Sequence, residues 1–246
     1  MKLPTIKSAI IAGGLALCAS SAYAGDALTV VSWGGAYTKS QIEAYHKPYT
    51  AKYGTKIQSE DYNGGLAEIR AQVEAGKITW DVVDLEVSDA ARGCDDGLFE
   101  KISAGSLPNG VNGALPSKDF IPGALQECAV GTIVWSTIYA YDADKYKSKK
   151  PTTISDFFDV KKFPGKRGMR KVPKVNLEWA LMADGVDGKD VYKILATKAG
   201  QDRAFKKLDT IKNDVLWWEA GAQPPQMLAD GEVVMTSAYN GRIFNA

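Results

Sequence analysis

Residues 29–37, TVVSWGGAY, constrain this chain more than any other stretch. The β-branched run reads as a buried strand, the glycine pair as the turn leaving it, and the segment from Thr38 as a helix. A strand–turn–helix unit of this kind belongs to an α/β fold and sets an aromatic at a strand's C-terminal end. In open α/β sheets that end borders the crevice where ligands bind. Trp33 and Tyr37 are therefore candidates for a binding wall, with packing at the sheet edge as the alternative.

The alternation continues along the chain. Ile42, Tyr45 and Tyr49 stand at helical spacing and predict a helix over 38–52, interrupted by Pro48, with His46 as a partly exposed member. Residues 55–62 predict a second strand, Asn63-Gly64-Gly65 a turn, and Leu66, Ile69 and Val73 a helix ended by Gly76. The run WDVVDL at 80–85 predicts a third strand, closing beside Asp84 and Glu86. Residues 88–98 predict a short helix, and 101–123, rich in Gly, Pro, Asn and Ser, a long surface excursion. The strongly β-prone run VGTIVWSTIYAY at 130–141, with Trp135 in its middle, predicts a long strand that passes between two lobes.

The second half repeats the pattern. A short helix is expected over 151–160, then a turn and a basic strand over 163–170. Asn176 is expected to cap a helix over 177–183, whose first turn holds Glu178 in favour with the macrodipole. Helices over 191–196 and 201–212 follow, then the short strand VLWW, ending in Trp217 and Trp218. A helix over 226–229 and a last strand over 232–239, ending in Tyr239 and Asn240, complete the series.

The first residues read as a cleavable secretory leader: Lys2 and Lys7, an apolar core over 9–19, and the small-x-small site Ala22-Tyr23-Ala24. Export implies an oxidising compartment. Without the leader two cysteines remain, Cys94 and Cys128, and they are expected to pair, with two separate buried thiols as the alternative. The full chain holds 30 basic and 29 acidic residues. Losing two leader lysines brings the balance to about −1, which argues against nucleic acid or an anionic membrane as partner.

Enzyme motifs are missing from the sequence: there is no Gly-x-Ser-x-Gly elbow, phosphate loop or dinucleotide fingerprint, and only one histidine. Asp81, Asp84 and Glu86 leave a carboxylate hydrolase open as an alternative. What recurs is an aromatic with a carboxylate nearby at an element's end: Trp33 and Tyr37, Asp84 and Glu86, Trp135, Glu178, Trp217 and Trp218, Tyr239 with Asn240. That combination suits a cationic ligand with an apolar stem, since ring faces attract ammonium and carboxylates neutralise it.

The stretches WGGAY, WDVVDLE, PGKRGMRKVPKVNLEWALMADGVD and WWEAGAQPPQMLADGEVVMTSAYNGR resemble the spermidine/putrescine-type periplasmic substrate-binding proteins of ABC transporters, a branch of solute-binding family 1. The resemblance implies a two-lobed, hinge-closing α/β protein of type II, each lobe a mixed sheet flanked by helices. Its expected divisions are a leader at 1–24, a first lobe at 25–131, a second at 132–238, and a recrossing to the first lobe from 239. It implies a monomer without cofactor or metal that holds a small cationic or zwitterionic amine between its lobes and hands it to an inner-membrane permease. Trp33 matches the first aromatic clamp, with Tyr37 just beyond. Glu86 falls where polyamine binders carry a small hydroxyl residue. Glu178 matches an acidic ligand contact, Trp218 or Trp217 an aromatic wall, and Tyr239 and Asn240 the recrossing.

Two departures bear on the ligand. Asn240-Gly241-Arg242 stands where polyamine binders commonly carry an aspartate, and an Arg242 turned into the cleft would suit a carboxylate. The sequence stops at Ala246, whereas that family continues, so an incomplete first lobe and a non-functional chain are further expectations. The cysteine pairing has a direct check. No thiol is expected to titrate in the unfolded, unreduced exported protein, and two free thiols would exclude the bridge.

Overall fold

The computed structural model describes residues 27–246, so the leader expected at 1–24 lies outside the described residues. Two sheets organise the chain. The first holds β1 (Leu28–Ser32), β2 (Ile57–Asp61) and β3 (Val82–Val83) in the order β2-β1-β3, all parallel. Helices α1 (Gly35–Gln41) and α2 (Lys47–Tyr53) link β1 to β2, α3 (Ala67–Glu74) links β2 to β3, and α4 (Val87–Asp95) follows. The excursion after α4 contains a 3₁₀ turn, Ala104–Ser106, and the short α-helix α5 (Pro116–Asp119).

The second sheet holds β4 (Thr137–Tyr141), β5 (Arg167–Arg170), β6 (Val215–Trp218) and β7 (Met235–Tyr239) in the order β4-β7-β5-β6. It is mixed, because β4 runs antiparallel to β7 while β5 runs parallel to both its neighbours. Its helices are α6 (Ile154–Phe158), α7 (Asn176–Ala183), α8 (Val191–Leu195), α9 (Lys198–Asp209) and α10 (Gln223–Ala229), and α11 (Asn240–Phe244) follows β7. Phe157, Met169, Leu181, Ala204 and Met235, all fully buried, make the core under this sheet. The smaller core of the first sheet gathers Val31, Tyr62, Leu66, Ile69 and Ala90.

Several expectations are corrected. Pro48 does not break the helix: a π-helical turn, Ile42–His46, precedes it and absorbs the missing N–H, with the proline in the first turn of α2. His46 is buried, not partly exposed, with Nδ1 3.0 Å from Ser59 Oγ. Only Val82–Val83 of the run at 80–85, and only Thr137–Tyr141 of the run at 130–141, pair as strand. β propensity marks residues that fit a pleated surface, and without a partner strand the remainder stays irregular. Asn176 does not cap α7. Val175 holds that position at φ 70°, and the Asn176 amide donates backwards to the carbonyls of Arg170 (2.6 Å) and Val172 (2.7 Å).

Cys94 of α4 is bonded to Cys128, at a sequence separation of 34. A loop of that length corresponds to about 3 to 4 kcal/mol in the chain-entropy account.

Arg167 and Arg170 lie three residues apart on β5, and strand alternation sends them to opposite faces. Arg167 is fully buried, with Nε donating to the Phe157 carbonyl (2.7 Å), Nη1 to Gly165 (2.6 Å) and Nη2 to Phe163 (2.6 Å). It pins the chain between α6 and β5, and burial pulls its pKa below the ordinary arginine value. Arg167→Met would strand the two buried carbonyls of Phe157 and Phe163 and free that of Gly165, and is expected to destabilise the oxidised chain by about 3 to 5 kcal/mol in urea unfolding. A loss below about 1 kcal/mol would show that these carbonyls find other partners.

Candidate functional site

A cluster of charged and aromatic side chains gathers at the C-terminal ends of β1, β5, β6 and β7, between the two sheets. Its centre is Arg170, the last residue of β5. The guanidinium carbon lies 5.5 Å from the centroid of the Trp33 ring and 5.9 Å from that of Tyr239, so one cation sits against an aromatic from each sheet. Nη1 donates to Glu86 Oε1 (2.9 Å) and Nη2 to the Asn63 carbonyl (2.9 Å). Lys174 completes the cluster, donating to Glu86 Oε2 (2.6 Å) and Asp89 Oδ2 (2.8 Å). Residues 63, 86 and 89 belong to the first sheet's loops and α4, whereas 170 and 174 belong to the second unit. The cluster therefore ties the two together.

Trp33 is held from three directions. Its ring packs on Tyr62 at 5.4 Å, Tyr62 packs edge-on to Trp80 at 5.5 Å, and the Tyr62 hydroxyl donates to the Asp84 carbonyl at 2.6 Å. Its far edge lies over Gly64, where a Cβ would stand 2.4 Å from the ring. Its carbonyl accepts from Arg242 Nη2 at 2.8 Å, and Gly34 accepts from the same nitrogen at 3.1 Å. Arg242 thus clamps the turn after β1 and does not take the cleft-facing place that the sequence left open for it.

A cavity of about 360 Å³ opens beside Arg170, within the ordinary range for a small-molecule site. Five residues singled out from the sequence line it: Glu86, Trp135, Glu178, Trp218 and Tyr239. Tyr239 is the hub of the aromatic part, with Trp135 at 5.0 Å and Trp218 at 5.9 Å, both edge-on. Burial raises the pKa of the Tyr239 phenol, with the positive charge of Arg170 opposing and the Glu86 carboxylate adding to the rise.

The other four lie elsewhere. Trp33 stands on the far side of Arg170 and does not line the cavity. Tyr37 faces Asp84, and burial followed by that carboxylate pushes its pKa up. Trp217 is half exposed and outside the lining. Asn240 ties down the backbone at the start of β4: its N–H donates to the Ser136 carbonyl and its Oδ1 accepts from the Ser136 N–H, both at 3.0 Å.

The cavity also has lining residues that the sequence reading did not single out: Ser88, Thr137, Arg170, Lys174, Asn176, Tyr192 and Ser237. Val175 lines it too, and a β-branched residue at positive φ is a strained conformation of the kind that clusters at functional sites.

The charges of the lining are unequally engaged. Glu86 is neutralised by Arg170 and Lys174. Glu178, half-buried in the first turn of α7, has no ion-pair partner among the described residues. Arg170 has committed two of its five N–H donors to Glu86 and Asn63. The cleft therefore offers a guanidinium with donors to spare and a carboxylate without an ion-pair partner, with aromatic rings in the same lining. The carboxylates a hydrolase would use are occupied: Asp81 accepts from the Thr29 N–H (2.7 Å), and Asp84 from Gln41 (2.9 Å) and Ser32 (3.3 Å).

A model of the bacterial extracellular solute-binding proteins matches residues 44–246. The chain is 48% identical over 230 residues to a γ-aminobutyric acid-binding protein of Pseudomonas aeruginosa, a match that covers 94% of this chain and 63% of that one. Among solved structures, the binding protein MotA of A. tumefaciens B6, in complex with glucopine, superposes with a TM-score of 0.80 at 32% identity over 89% of this chain and 65% of its own. A GABA receptor superposes at 0.73 with 34% identity, covering 89% and 64%. The chain spans less than two thirds of the length of each of these relatives. It belongs to the bacterial extracellular solute-binding proteins.

The seat of Trp33 gives a comparison that can be measured. Gly64 and Gly65 both have positive φ, 84° and 87°, but a Cβ at Gly65 meets nothing within 4 Å. Gly65→Ala is expected to cost about 1 kcal/mol of backbone strain, and Gly64→Ala that amount plus displacement of Trp33, about 2 to 3 kcal/mol in all. Equal losses in denaturant unfolding would show that the ring is not seated on Gly64.

Proposed function

We propose that this solute-binding protein captures a small zwitterionic amine, of which γ-aminobutyrate is the type, and delivers it to an ABC importer from the periplasm. The observation that carries the reading is the pairing in one cavity of Arg170, with free N–H donors, and Glu178, without a cationic partner. The guanidinium receives the ligand's carboxylate in the fork geometry that arginine favours. Glu178 receives the ammonium, and Trp135, Trp218 and Tyr239 cover the methylenes between them. Trp33 acts on Arg170 from behind as a positioning residue, and Glu86 fixes the guanidinium from the first unit.

The names of the relatives support this choice: one is a γ-aminobutyric acid-binding protein and another a GABA receptor. A diamine, which the sequence placed first, fits less well. One of its ammonium groups would stand beside Arg170, and Glu86, the carboxylate expected to meet it, is already paired twice. In this reading the lobes are residues 25–131 and 132–238, and hinge closure brings Arg170 onto Glu86 and Asn63 as the ligand is enclosed.

Calorimetry on the exported chain tests the assignment. γ-Aminobutyrate is expected to bind more tightly than putrescine or spermidine, and Glu178→Gln to weaken it by about 2 kcal/mol or more. Tighter putrescine binding, or γ-aminobutyrate binding indifferent to Glu178→Gln, would overturn it.

A further inference from the structure

The charged residues lining the cavity are the acids Glu86 and Glu178 and the bases Arg170 and Lys174, so acids and bases balance. That balance rests on Lys174. Its Nζ donates to Glu86 Oε2 (2.6 Å) and Asp89 Oδ2 (2.8 Å), on the same carboxylate whose Oε1 accepts from Arg170 (2.9 Å). The two cations therefore stand side by side, bridged by Glu86. Neither acid needs Lys174 to be paired: Glu86 has Arg170, and Asp89, whose side chain is 6% exposed, has Arg92 at 3.0 Å. What Lys174 adds is one more positive charge in the lining, with one of its three ammonium donors still free.

The loop between β5 and α7 sets where Lys174 stands. The Asn176 amide holds the carbonyls of Arg170 (2.6 Å) and Val172 (2.7 Å), and Pro173 fixes its own φ just before Lys174. A substitution at Lys174 therefore changes the charge of the lining and leaves the loop's own anchors in place. Building on the zwitterion reading, we propose that Lys174 determines specificity by its charge: it holds the lining at neutrality and so selects a ligand without net charge over a dication of the same length. A zwitterion turns its carboxylate towards the two cations. A diamine brings two positive charges to a lining that has no net negative charge to receive them. With Lys174 made neutral, two acids face one base, and the lining turns in favour of the diamine.

Calorimetry of the exported chain at low ionic strength, with γ-aminobutyrate and putrescine as the two probes, tests this. Lys174→Met keeps the apolar stem and removes the charge. It is expected to weaken γ-aminobutyrate about fivefold and to tighten putrescine about fivefold, with the putrescine gain shrinking as salt is added. Lys174→Gln is expected to shift the two ligands in the same directions, so the readout does not hang on one variant folding. Lys174→Arg keeps the charge, and is expected to hold both affinities within about twofold of the unsubstituted chain. Equal weakening of both ligands in Lys174→Met and Lys174→Gln would make Lys174 a tie between the two sheets and overturn the inference. An unchanged ratio of the two affinities would overturn it as well. In either case, tighter binding of γ-aminobutyrate than of putrescine by the unsubstituted chain leaves the zwitterion reading standing. If the unsubstituted chain instead prefers putrescine, the zwitterion reading falls, and a further gain of putrescine in Lys174→Met still upholds the role of Lys174.

Discussion

The ion cluster built on Arg170 is the interaction on which the rest of the site depends. It places a guanidinium at 12% side-chain exposure between two aromatic rings and compensates it with Glu86, itself 12% exposed. Charges this far from water are tolerable only when paired and hydrogen-bonded, and losing one partner leaves the other uncompensated. The compensation runs on through Lys174 to Asp89, and from Asp89 to Arg92 at 3.0 Å. Both acids of the cluster, Glu86 and Asp89, are thus held by bases, and two of those bases come from the second unit. The pairing of the sheets and the electrostatics of the cleft are one arrangement.

Strand alternation explains how one short motif serves both core and cleft. In RGMR the first arginine is sealed among three backbone carbonyls, Met169 joins the core, and the last arginine emerges at the strand's end. Gly168 between them is needed for a different reason: a Cβ there would stand 2.2 Å from Thr236 Oγ1 on the neighbouring strand. The four residues therefore set, in order, an anchor, a close strand approach, a core contact and a cleft cation.

Much of this was legible in the sequence, for identifiable reasons. Apolar periodicity gave the order of strands and helices, because it is a local signal. The rule that ligands meet strand ends picked out Glu86, Trp218 and Tyr239, the recurring aromatic pattern added Trp135, and the family resemblance added weight to Glu178. Arg170 and Lys174 were not singled out, because their partners lie 84 to 107 residues away and no local spacing announces such a pair. Parity could have found Arg170, since a strand whose first arginine points inward must point the fourth residue outward. Asn176 was misread because an amide that caps as an acceptor donates equally well, and here two carbonyls in the preceding loop claimed it. Arg242 was weighed for a role in the cleft, but it is spent on the backbone of the turn that carries Trp33.

The way Glu86 is engaged changes what the aromatic and acidic pattern means. Counted from the sequence alone, a carboxylate near each aromatic describes a cleft that is negative at both ends, which is the electrostatic image of a diamine. With Glu86 shared between Arg170 and Lys174, that end carries two cations against it, and Asp89 is divided between Lys174 and Arg92. Glu178, in the same lining, has no ion-pair partner among the described residues. A like charge brought beside Arg170 would meet repulsion in a region of reduced dielectric, whereas an anion there would meet attraction on the same scale. The cleft is therefore not uniformly acidic: the cations gathered on Glu86 set its character beside Arg170, and the carboxylate count of the sequence does not.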